Sequence, residues 1–348
     1  MKTTGYAARA ADTPLAPFAF ERRDLRPEDV AIEILYCGVC HSDLHQARND
    51  WGGSEYPLVP GHEIVGRVTA VGDTVTRHKV GDAVAVGCMV DSCLHCDQCH
   101  KGEEQLCRHG FTGTYNSHDR ITGEATQGGY SGHVVVREEF VLRVPAALDL
   151  ARAAPLLCAG ITTWSPLRTW NVGPGSRVGV IGLGGLGHMA VKLAAGLGAH
   201  VTVLSRTTDK QADAIALGAD RLLASTDAEA MAAAASSFDL IIDTIPVRHD
   251  VSPYIQLLDN DATLVIVGQL GLIEEQSTIP LLMGRRRLSG SPIGGIAETQ
   301  EMLDFCARMN ILPECEMIRM DEINHAFDRM ERADVRYRFV IDMATLAG

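Results

Sequence analysis

Four cysteines that lie close together in the sequence form the clearest group of residues able to do chemistry. They follow the spacing C-x2-C-x2-C-x7-C and are Cys93, Cys96, Cys99 and Cys107. Four thiolates are the ligand set of a closed tetrahedral zinc site. Buried free thiols are the alternative, but they would crowd a loop that is otherwise polar. Because protein sulfur would fill all four positions, we predict a structural zinc ion that holds this loop together.

A second group of possible metal ligands is dispersed along the chain. It consists of Cys40, the pair His62 and Glu63, and Cys158. Taken singly, each has an ordinary interpretation, since an isolated cysteine is usually part of the core and an isolated histidine a satisfied polar residue. Taken together, two cysteines and a histidine are the ligand set of a catalytic zinc ion, whose fourth position stays open to water or a substrate oxygen.

A glycine-rich turn carries the pattern G-x-G-x-x-G, with the residues Gly182, Leu183, Gly184, Gly185, Leu186 and Gly187. It follows the apolar run Val178–Ile181 and precedes a helical stretch that begins near His188. In this context the glycines permit a tight turn, close approach to a pyrophosphate and close packing of helix on strand. A flexible turn could show the same letters. The flanking strand and helix favour a dinucleotide-binding site.

The residues after the next strand bear on which dinucleotide is bound. Sites for NAD place an acidic residue there to bind the ribose 2′-hydroxyl, whereas an arginine accommodates a 2′-phosphate. This chain has Ser205 and Arg206 at that point, Lys210 shortly after, and no carboxylate before Asp209. The two basic residues could be solvated charges at a helix start. The missing acid nevertheless predicts NADP(H).

The elements that must position these residues change character along the chain. Between about residues 31 and 144, short β-rich runs alternate with Gly, Pro and Asp, and the clearest are Ala31–Tyr36, Ile64–Val71, Ala83–Val86 and His133–Val136. Such spacing is typical of an irregular all-β domain, here a compact barrel-like unit.

After about residue 151, apolar strand-like runs alternate with helical stretches such as His188–Leu197 and Asp209–Leu217. The six runs are Val178–Ile181, Val201–Leu204, Arg221–Leu223, Leu240–Asp243, Thr263–Val267 and Arg287–Gly290. This alternation predicts a doubly wound parallel sheet, and the last strands are expected to return to the first domain. The predicted domains are 1–151, 152–296 and 297–348.

Composition excludes several classes of function. The 348 residues include 31 Lys and Arg against 44 Asp and Glu, a formal net charge of −13, which disfavours nucleic acid as a partner. No apolar run reaches the roughly 18 residues of a membrane span, and prolines and an aspartate interrupt the first 20 residues. We therefore expect a cytoplasmic protein with no membrane partner.

Across nearly its whole length the chain resembles the zinc-dependent medium-chain alcohol dehydrogenases, and most closely their NADP(H)-dependent branch of cinnamyl alcohol dehydrogenases and aldehyde reductases. The residues that carry this resemblance are the segments 38–45, 60–63, 126–130, 157–162 and 334–339, together with the four-cysteine loop and the glycine turn. The resemblance implies a GroES-like irregular β-barrel catalytic domain, interrupted in sequence by a Rossmann domain. It also suggests a homodimer formed through the Rossmann sheet edge.

The resemblance also implies roles for individual residues. Cys40, His62 and Cys158 match the catalytic zinc ligands, and Glu63 matches a carboxylate that can replace the zinc-bound water. Ser42 matches the hydroxyl that donates a proton to the alkoxide, and His45 and Asp50 match the relay to solvent. Thr162 matches a residue under the nicotinamide. The predicted coenzyme site further includes Thr244, Val267, Gly268 and Ser291.

These inferences predict a zinc-containing, NADPH-dependent reductase that interconverts aldehydes and primary alcohols, with two zinc ions per chain. Two alternatives remain open. One is a polyol or secondary-alcohol dehydrogenase of the same fold, and the other is a protein that binds NADPH without catalysis.

Overall fold

The structure is a computed structural model that describes residues 1–268, 271–273 and 276–347. The chain forms two compact units, one comprising residues 1–158 and 294–348 and the other residues 159–293. We call them the first and the second unit; Gly348 lies outside the described residues. The domain boundaries given by the sequence pattern, near residues 151 and 296, stay predictions.

The first unit is built mainly from strands. Up to residue 158 its strands are β1 Lys2–Ala7, β2 Ala16–Glu21, β3 Asp29–Val39, β4 Ile64–Val71, β5 Ala83–Val86, β6 Met89–Asp91, β7 Thr112–Gly113, β8 His133–Arg137 and β9 Leu142–Arg143. Its helices in this part are α1 His41–Ala47, α2 Asp97–His100 and α3 Leu150–Ala153, with 3-10 turns at Glu104–Leu106, Glu138–Phe140 and Ala154–Leu157.

The second unit alternates helix and strand. Its helices are α4 Ala159–Thr169, α5 Gly187–Gly196, α6 Gln211–Ala216, α7 Ala228–Ala233, α8 Ser252–Ile255 and α9 Ile279–Gly284. Its strands are β10 Arg177–Ile181, β11 His200–Ser205, β12 Arg221–Ala224, β13 Phe238–Asp243, β14 Leu258–Ile266 and β15 Arg287–Gly290.

The chain then completes the first unit. The last elements are α10 Ile296–Met309, β16 Cys315–Arg319, α11 Ile323–Glu331 and β17 Arg338–Asp342, with 3-10 turns at Met320–Glu322 and Met343–Ala347. Among the described residues, no helix is both long and apolar enough to cross a membrane.

Strand β3 is the centre of the first unit. The main sheet has the order β16-β17-β3-β4-β5-β9, and β8 also pairs with β3. On one edge β3 pairs antiparallel with β4 along most of its length; on the other it pairs with β8 near its start and with β17 near its end. Most of its apolar residues are accordingly buried, and Leu35 and Tyr36 are half-buried. The last residue of β3, Val39, leads directly into Cys40 and α1.

The second unit contains a six-stranded parallel sheet of order β12-β11-β10-β13-β14-β15. The order reverses beside β10, since the chain first builds outward to β12 and then returns to β13. Ligands of doubly wound folds bind at such a reversal, beyond the carboxyl ends of the strands. The glycine turn that follows β10 lies at this point.

All six predicted strands of the second unit are present, but β14 begins five positions earlier than its sequence pattern indicates. The first part of β14 contains three polar residues, Asp259, Asn260 and Asp261, so the apolar pattern indicates the strand only from Thr263 onward. The register against β13 shifts between the pairs Phe238 with Leu258 and Leu240 with Thr263, so the polar stretch is accommodated as a bulge.

Candidate active site

Four buried side chains of the first unit converge on one point. The ligand atoms of Cys40, His62, Glu63 and Cys158 all lie within 4.8 Å of one another, and the sulfurs of Cys40 and Cys158 are 3.9 Å apart. They come from the end of β3, the loop before β4 and the segment after α3. The structure therefore brings together the dispersed ligands that the sequence predicted.

A fully buried carboxylate organises this group. Asp43 on α1 accepts hydrogen bonds from the backbone N–H of Cys40 at 2.9 Å and of Gly61 at 3.0 Å, and from the hydroxyl of Tyr130 at 3.0 Å. Its Oδ1 also lies 3.0 Å from His62 Nδ1. A carboxylate bound to one ring nitrogen fixes the tautomer of a histidine and leaves Nε2 to bind a metal.

Glu63 is also buried, and its partner is Arg338 on β17, 275 residues away in the sequence. Burial raises the pKa of Glu63 to about 7, although the guanidinium of Arg338 acts to lower it. Gly38 on β3 provides the space for this carboxylate, since a Cβ there would lie 1.9 Å from Glu63 Oε2. Any larger residue at position 38 would displace the acid.

The two thiols influence each other. The hydrogen bond from Cys158 lowers the pKa of Cys40 well below its ordinary value, against the opposing effect of burial. A thiolate is the form that binds a metal. Two sulfurs, an oriented imidazole nitrogen and a nearby carboxylate fit a zinc ion with one position open to substrate.

The loop beside His62 is held by a half-buried arginine. Arg22 donates to the carbonyls of Gly128 and His133 at 2.7 and 2.8 Å and to the hydroxyl of Ser131 at 2.7 Å. Burial lowers the pKa of Arg22 to about 9. Tyr130, which binds Asp43, lies within the segment that Arg22 holds, so this arginine supports the zinc ligand through two intervening residues.

The predicted proton relay lies on and just beyond α1. Ser42 Oγ is 3.7 Å from Cys40 Sγ, and His45 follows one turn later, with its Nδ1 2.7 Å from Asp50 Oδ2. The side chain of Asp50 is 46% exposed and that of His45 29%. The Trp51 ring packs 5.2 Å from that of His45. A hydroxyl near the sulfurs and a solvent-facing histidine are the two ends that a proton path needs.

The four clustered cysteines also converge. Their sulfurs lie within 4.8 Å of one another, with Cys99 Sγ 3.6 Å from Cys96 Sγ and 3.8 Å from Cys93 Sγ. Backbone N–H groups of Cys99 and Arg108 lower the pKa of Cys96 to about 6. Four sulfurs at this spacing fit a closed structural zinc site.

The glycine turn of the second unit fits a dinucleotide. Gly182 has φ +87°, a conformation that L side chains rarely adopt, and a Cβ at Gly187 would lie 2.2 Å from the Gly182 carbonyl oxygen. A Cβ at Gly184 would meet nothing within 4 Å, so the space above this residue is open. This is the arrangement that lets a pyrophosphate approach the backbone.

The residues predicted to discriminate NADP(H) from NAD(H) lie beside this turn. Ser205 is the last residue of β11, and Arg206, which is exposed, follows it. The ammonium of Lys210 donates to the carbonyl of Leu183 at 3.0 Å and so ties the start of α6 to the glycine turn.

The structure spreads the other predicted coenzyme residues over the second unit. Thr162 is buried on α4, and Thr244, which follows β13, donates from Oγ1 to the carbonyl of Ile181 at 2.7 Å. Val267 and Gly268 donate their N–H groups to the carbonyl of Asp243. Ser291 follows β15. The last four residues therefore lie beyond the carboxyl ends of parallel strands.

Two family profiles match the sequence. The alcohol dehydrogenase GroES-like domain matches residues 26–146, and the zinc-binding dehydrogenase family matches residues 185–308. The chain belongs to the zinc-binding alcohol dehydrogenases. The resemblance inferred from the sequence motifs is confirmed, as is the predicted fold of a GroES-like domain with a Rossmann domain.

Relatives that align with this dehydrogenase over nearly its whole length agree with the family assignment. It is 53% identical to the aldehyde reductase YahK of Escherichia coli over 348 residues, which cover 99% of each protein. It is 54% identical to the NADP-dependent alcohol dehydrogenase C 1 of Mycolicibacterium smegmatis over 99% of this chain and 98% of that protein. A solved cinnamyl alcohol dehydrogenase of Sorghum bicolor superposes with a TM-score of 0.95 at 45% identity, covering 99% of this chain and 98% of that one.

The sequence motifs contained, but did not single out, several residues that support the zinc-binding site of this dehydrogenase. Asp43 and Tyr130 lie in motifs that carried the family resemblance, as does Arg338. Tyr115, whose ring packs 5.7 Å from that of His62, lies outside them. An acidic residue one helical turn from a metal-binding cysteine is the one signal that could have pointed to Asp43.

We expect Asp43→Asn to weaken zinc binding at the Cys40 site by about 10- to 100-fold, the usual effect of losing a partner of a ligating histidine. An amide has one acceptor oxygen and turns donor hydrogens toward the N–H groups that the carboxylate binds. Zinc retention during competition with a chelator measures the change. Tyr130→Phe is the matched control. It removes only one of the four hydrogen bonds of Asp43, so it should weaken zinc binding less than Asp43→Asn does. Equal zinc retention in wild type and Asp43→Asn would show that Asp43 does not position His62.

Proposed function

We propose that this dehydrogenase is a zinc-containing, NADPH-dependent aldehyde reductase that interconverts aldehydes and primary alcohols. The observation that carries the proposal is the convergence of Cys40, His62 and Cys158 on one point with Glu63 beside them. Three such ligands leave a zinc ion one position for a substrate oxygen. The names of the relatives from Escherichia coli and Mycolicibacterium smegmatis support the same reaction class.

When bound, zinc supplies a Lewis acid for the carbonyl, and the reduced nicotinamide supplies a hydride. The residues of the chain hold the metal, orient its ligands and move the proton. Cys40, His62 and Cys158 would hold the metal, and Asp43 holds His62 in orientation. Reduction of the carbonyl requires a proton for the product alkoxide. The Ser42 hydroxyl would donate it, and His45 would return a proton from solvent.

Arg206 and Ser205 support a preference for NADPH over NADH. A 2′-phosphate carries close to two negative charges, and a charge-assisted hydrogen bond from Arg206 is worth about 1.5–3 kcal/mol, or one to two decades in affinity. Ser205 occupies the strand end where an acid would bind the ribose of NADH. Lys210 adds positive charge nearby while its ammonium contacts the turn.

Steady-state kinetics with an aromatic aldehyde and both coenzymes test the function and the coenzyme site together. We expect wild type to prefer NADPH by at least about tenfold. Arg206→Ala should weaken the binding of NADPH and have little effect on the binding of NADH. Adding Ser205→Asp to that variant should bring the affinities for the two coenzymes near parity or invert the preference. Arg221→Ala, at the amino end of β12, is the control. If wild type used NADH as well as NADPH, the assignment of Ser205 and Arg206 would be wrong.

A substrate panel separates the proposed function from its alternatives. Turnover of benzaldehyde-type aldehydes well above that of sorbitol-type polyols or secondary alcohols supports the reductase. The reverse order would assign the chain to the polyol or secondary-alcohol dehydrogenases of this fold. NADPH binding without oxidation by any carbonyl compound would mark a non-catalytic protein.

The second unit also supports a homodimer. Strand β15 ends the six-stranded sheet, and among the described residues no strand pairs with its outer edge. The preceding helix α9 exposes Leu282 and Met283 at 72% and 81%. An exposed sheet edge beside apolar side chains favours pairing with another strand. Pairing of two β15 strands would join two copies through their sheets.

We expect Leu282→Asp combined with Met283→Asp to convert the dimer to a monomer, because two carboxylates would have to be buried in the interface. Sedimentation or light scattering measures the mass. Ile121→Asp, at a 68% exposed apolar residue of the first unit, is the matched control and should leave the dimer intact. A wild-type protein that is already monomeric would contradict the proposed pairing.

A further inference from the structure

Two exposed histidines flank the four-cysteine loop. One ring nitrogen of His95, one of His109 and the sulfur of Cys93 all lie within 4.8 Å of one another. The two rings are 5.5 Å apart and tilted by 33°. His95 and His109 are both exposed and Cys93 is half-buried, so the group opens to solvent on the outer side of the loop.

The ring of His95 is already oriented. Its Nδ1 lies 2.5 Å from the carbonyl oxygen of Cys93, which can only accept, so Nδ1 carries the proton. The lone pair is then on Nε2. A backbone carbonyl holds many metal-binding histidines in this way.

The sulfur of Cys93 is suited to a second cation. Four thiolates carry more negative charge than one zinc ion neutralises, so a sulfur of such a cluster keeps basicity toward another metal. The other three sulfurs each lie near a hydrogen-bond donor. Cys96 accepts from the N–H of Arg108, and Cys107 accepts from the N–H of Cys93. Cys99 Sγ lies 3.3 Å from the hydroxyl of Ser92. Cys93 is the sulfur that the two histidines face.

We propose that Cys93, His95 and His109 form an accessory site for a borderline-soft divalent cation of the Zn²⁺ class, with Cys93 bridging it to the structural zinc. Imidazole nitrogen and thiolate sulfur are the donors that such ions prefer. Three protein ligands leave one position to water, so the site exchanges metal with solvent. The protein therefore binds a third divalent ion besides the two zinc ions of its own sites. The inference is independent of the reaction that the enzyme catalyses.

Titration of the two-zinc protein with Co²⁺ tests this site. We expect one further equivalent to bind and to give a thiolate-to-cobalt charge-transfer band, while elemental analysis still finds two zinc ions per chain. His95→Asn and His109→Asn should each weaken cobalt binding by at least about tenfold. His100→Asn is the matched control, because His100 is an exposed histidine of the same loop outside this group, and it should bind cobalt like wild type.

Four results would overturn the proposal. Wild type could bind no cobalt beyond its two zinc ions. The two histidine variants could bind cobalt as tightly as His100→Asn, which would show adventitious binding. Cobalt could also bind through the histidines without the thiolate band, which would exclude Cys93 as a ligand. Zinc released in step with cobalt bound would show replacement at an existing site and would count against an accessory site.

Discussion

Replacing Cys158 by alanine should lower aldehyde turnover by about a thousandfold, because zinc acting on a carbonyl supplies several kcal/mol of transition-state stabilisation. The substitution removes one of three ligands from the open site and leaves the β3-centred sheet intact. We therefore expect zinc to fall from two ions per chain to about one, with most of the thermal stability retained.

Turnover number, zinc content and thermal melting should be measured on the same preparations. Cys306→Ala is the matched control, since Cys306 is another fully buried thiol of the first unit and lies outside both cysteine clusters. It should keep two zinc ions and wild-type turnover. A Cys158→Ala protein that lost one zinc ion yet kept wild-type turnover would exclude a catalytic role for that ion.

Cys96→Ala should have the opposite profile, with a loss of folding stability of several kcal/mol. A structural zinc ion contributes its binding free energy to folding, and three thiolates bind it more weakly than four. Thermal melting before and after chelator treatment measures the loss. We expect chelation to lower the melting temperature of wild type toward that of Cys96→Ala.

Cys315→Ala provides the control for Cys96→Ala, because this half-buried thiol belongs to neither metal cluster. If Cys96→Ala kept full stability and lost only turnover, the structural and catalytic assignments of the two cysteine groups would be reversed.

The sequence predicted the groups whose chemistry depends on residue type and local spacing. Cys93 to Cys107 and the turn from Gly182 to Gly187 are continuous in sequence, and the turn follows a short apolar strand and precedes a helical stretch. The dispersed ligands Cys40, His62 and Cys158 were grouped because together they form the ligand set of a catalytic zinc ion. The family resemblance implied the same roles, and the structure brings the three residues together.

The supporting contacts were not predictable in the same way. Arg338 meets Glu63 only because β17 pairs with β3, and nothing near either residue in the sequence indicates the other. Arg22 binds carbonyls of the segment 127–133, and carbonyls have no sequence signature. The hairpin of β1 and β2 was also missed, because its short strands lie among prolines and polar residues.

The position of β17 has a consequence for biosynthesis. Residues 1–158 of the first unit are synthesised well before β17, yet β17 lies inside the sheet of that unit, between β16 and β3. Between the end of β3 at Val39 and the start of β17 at Arg338 lie 298 residues. At about 5–20 residues per second, the ribosome takes roughly 15 to 60 seconds to add them. During that time one edge of β3 lacks its last partner and Glu63 lacks its guanidinium. Until β17 is made, this edge of β3 is open to pairing with strands of other chains. A chain that ended before β17 would hold Cys40, His62 and Cys158 but would lack the Arg338 contact of Glu63.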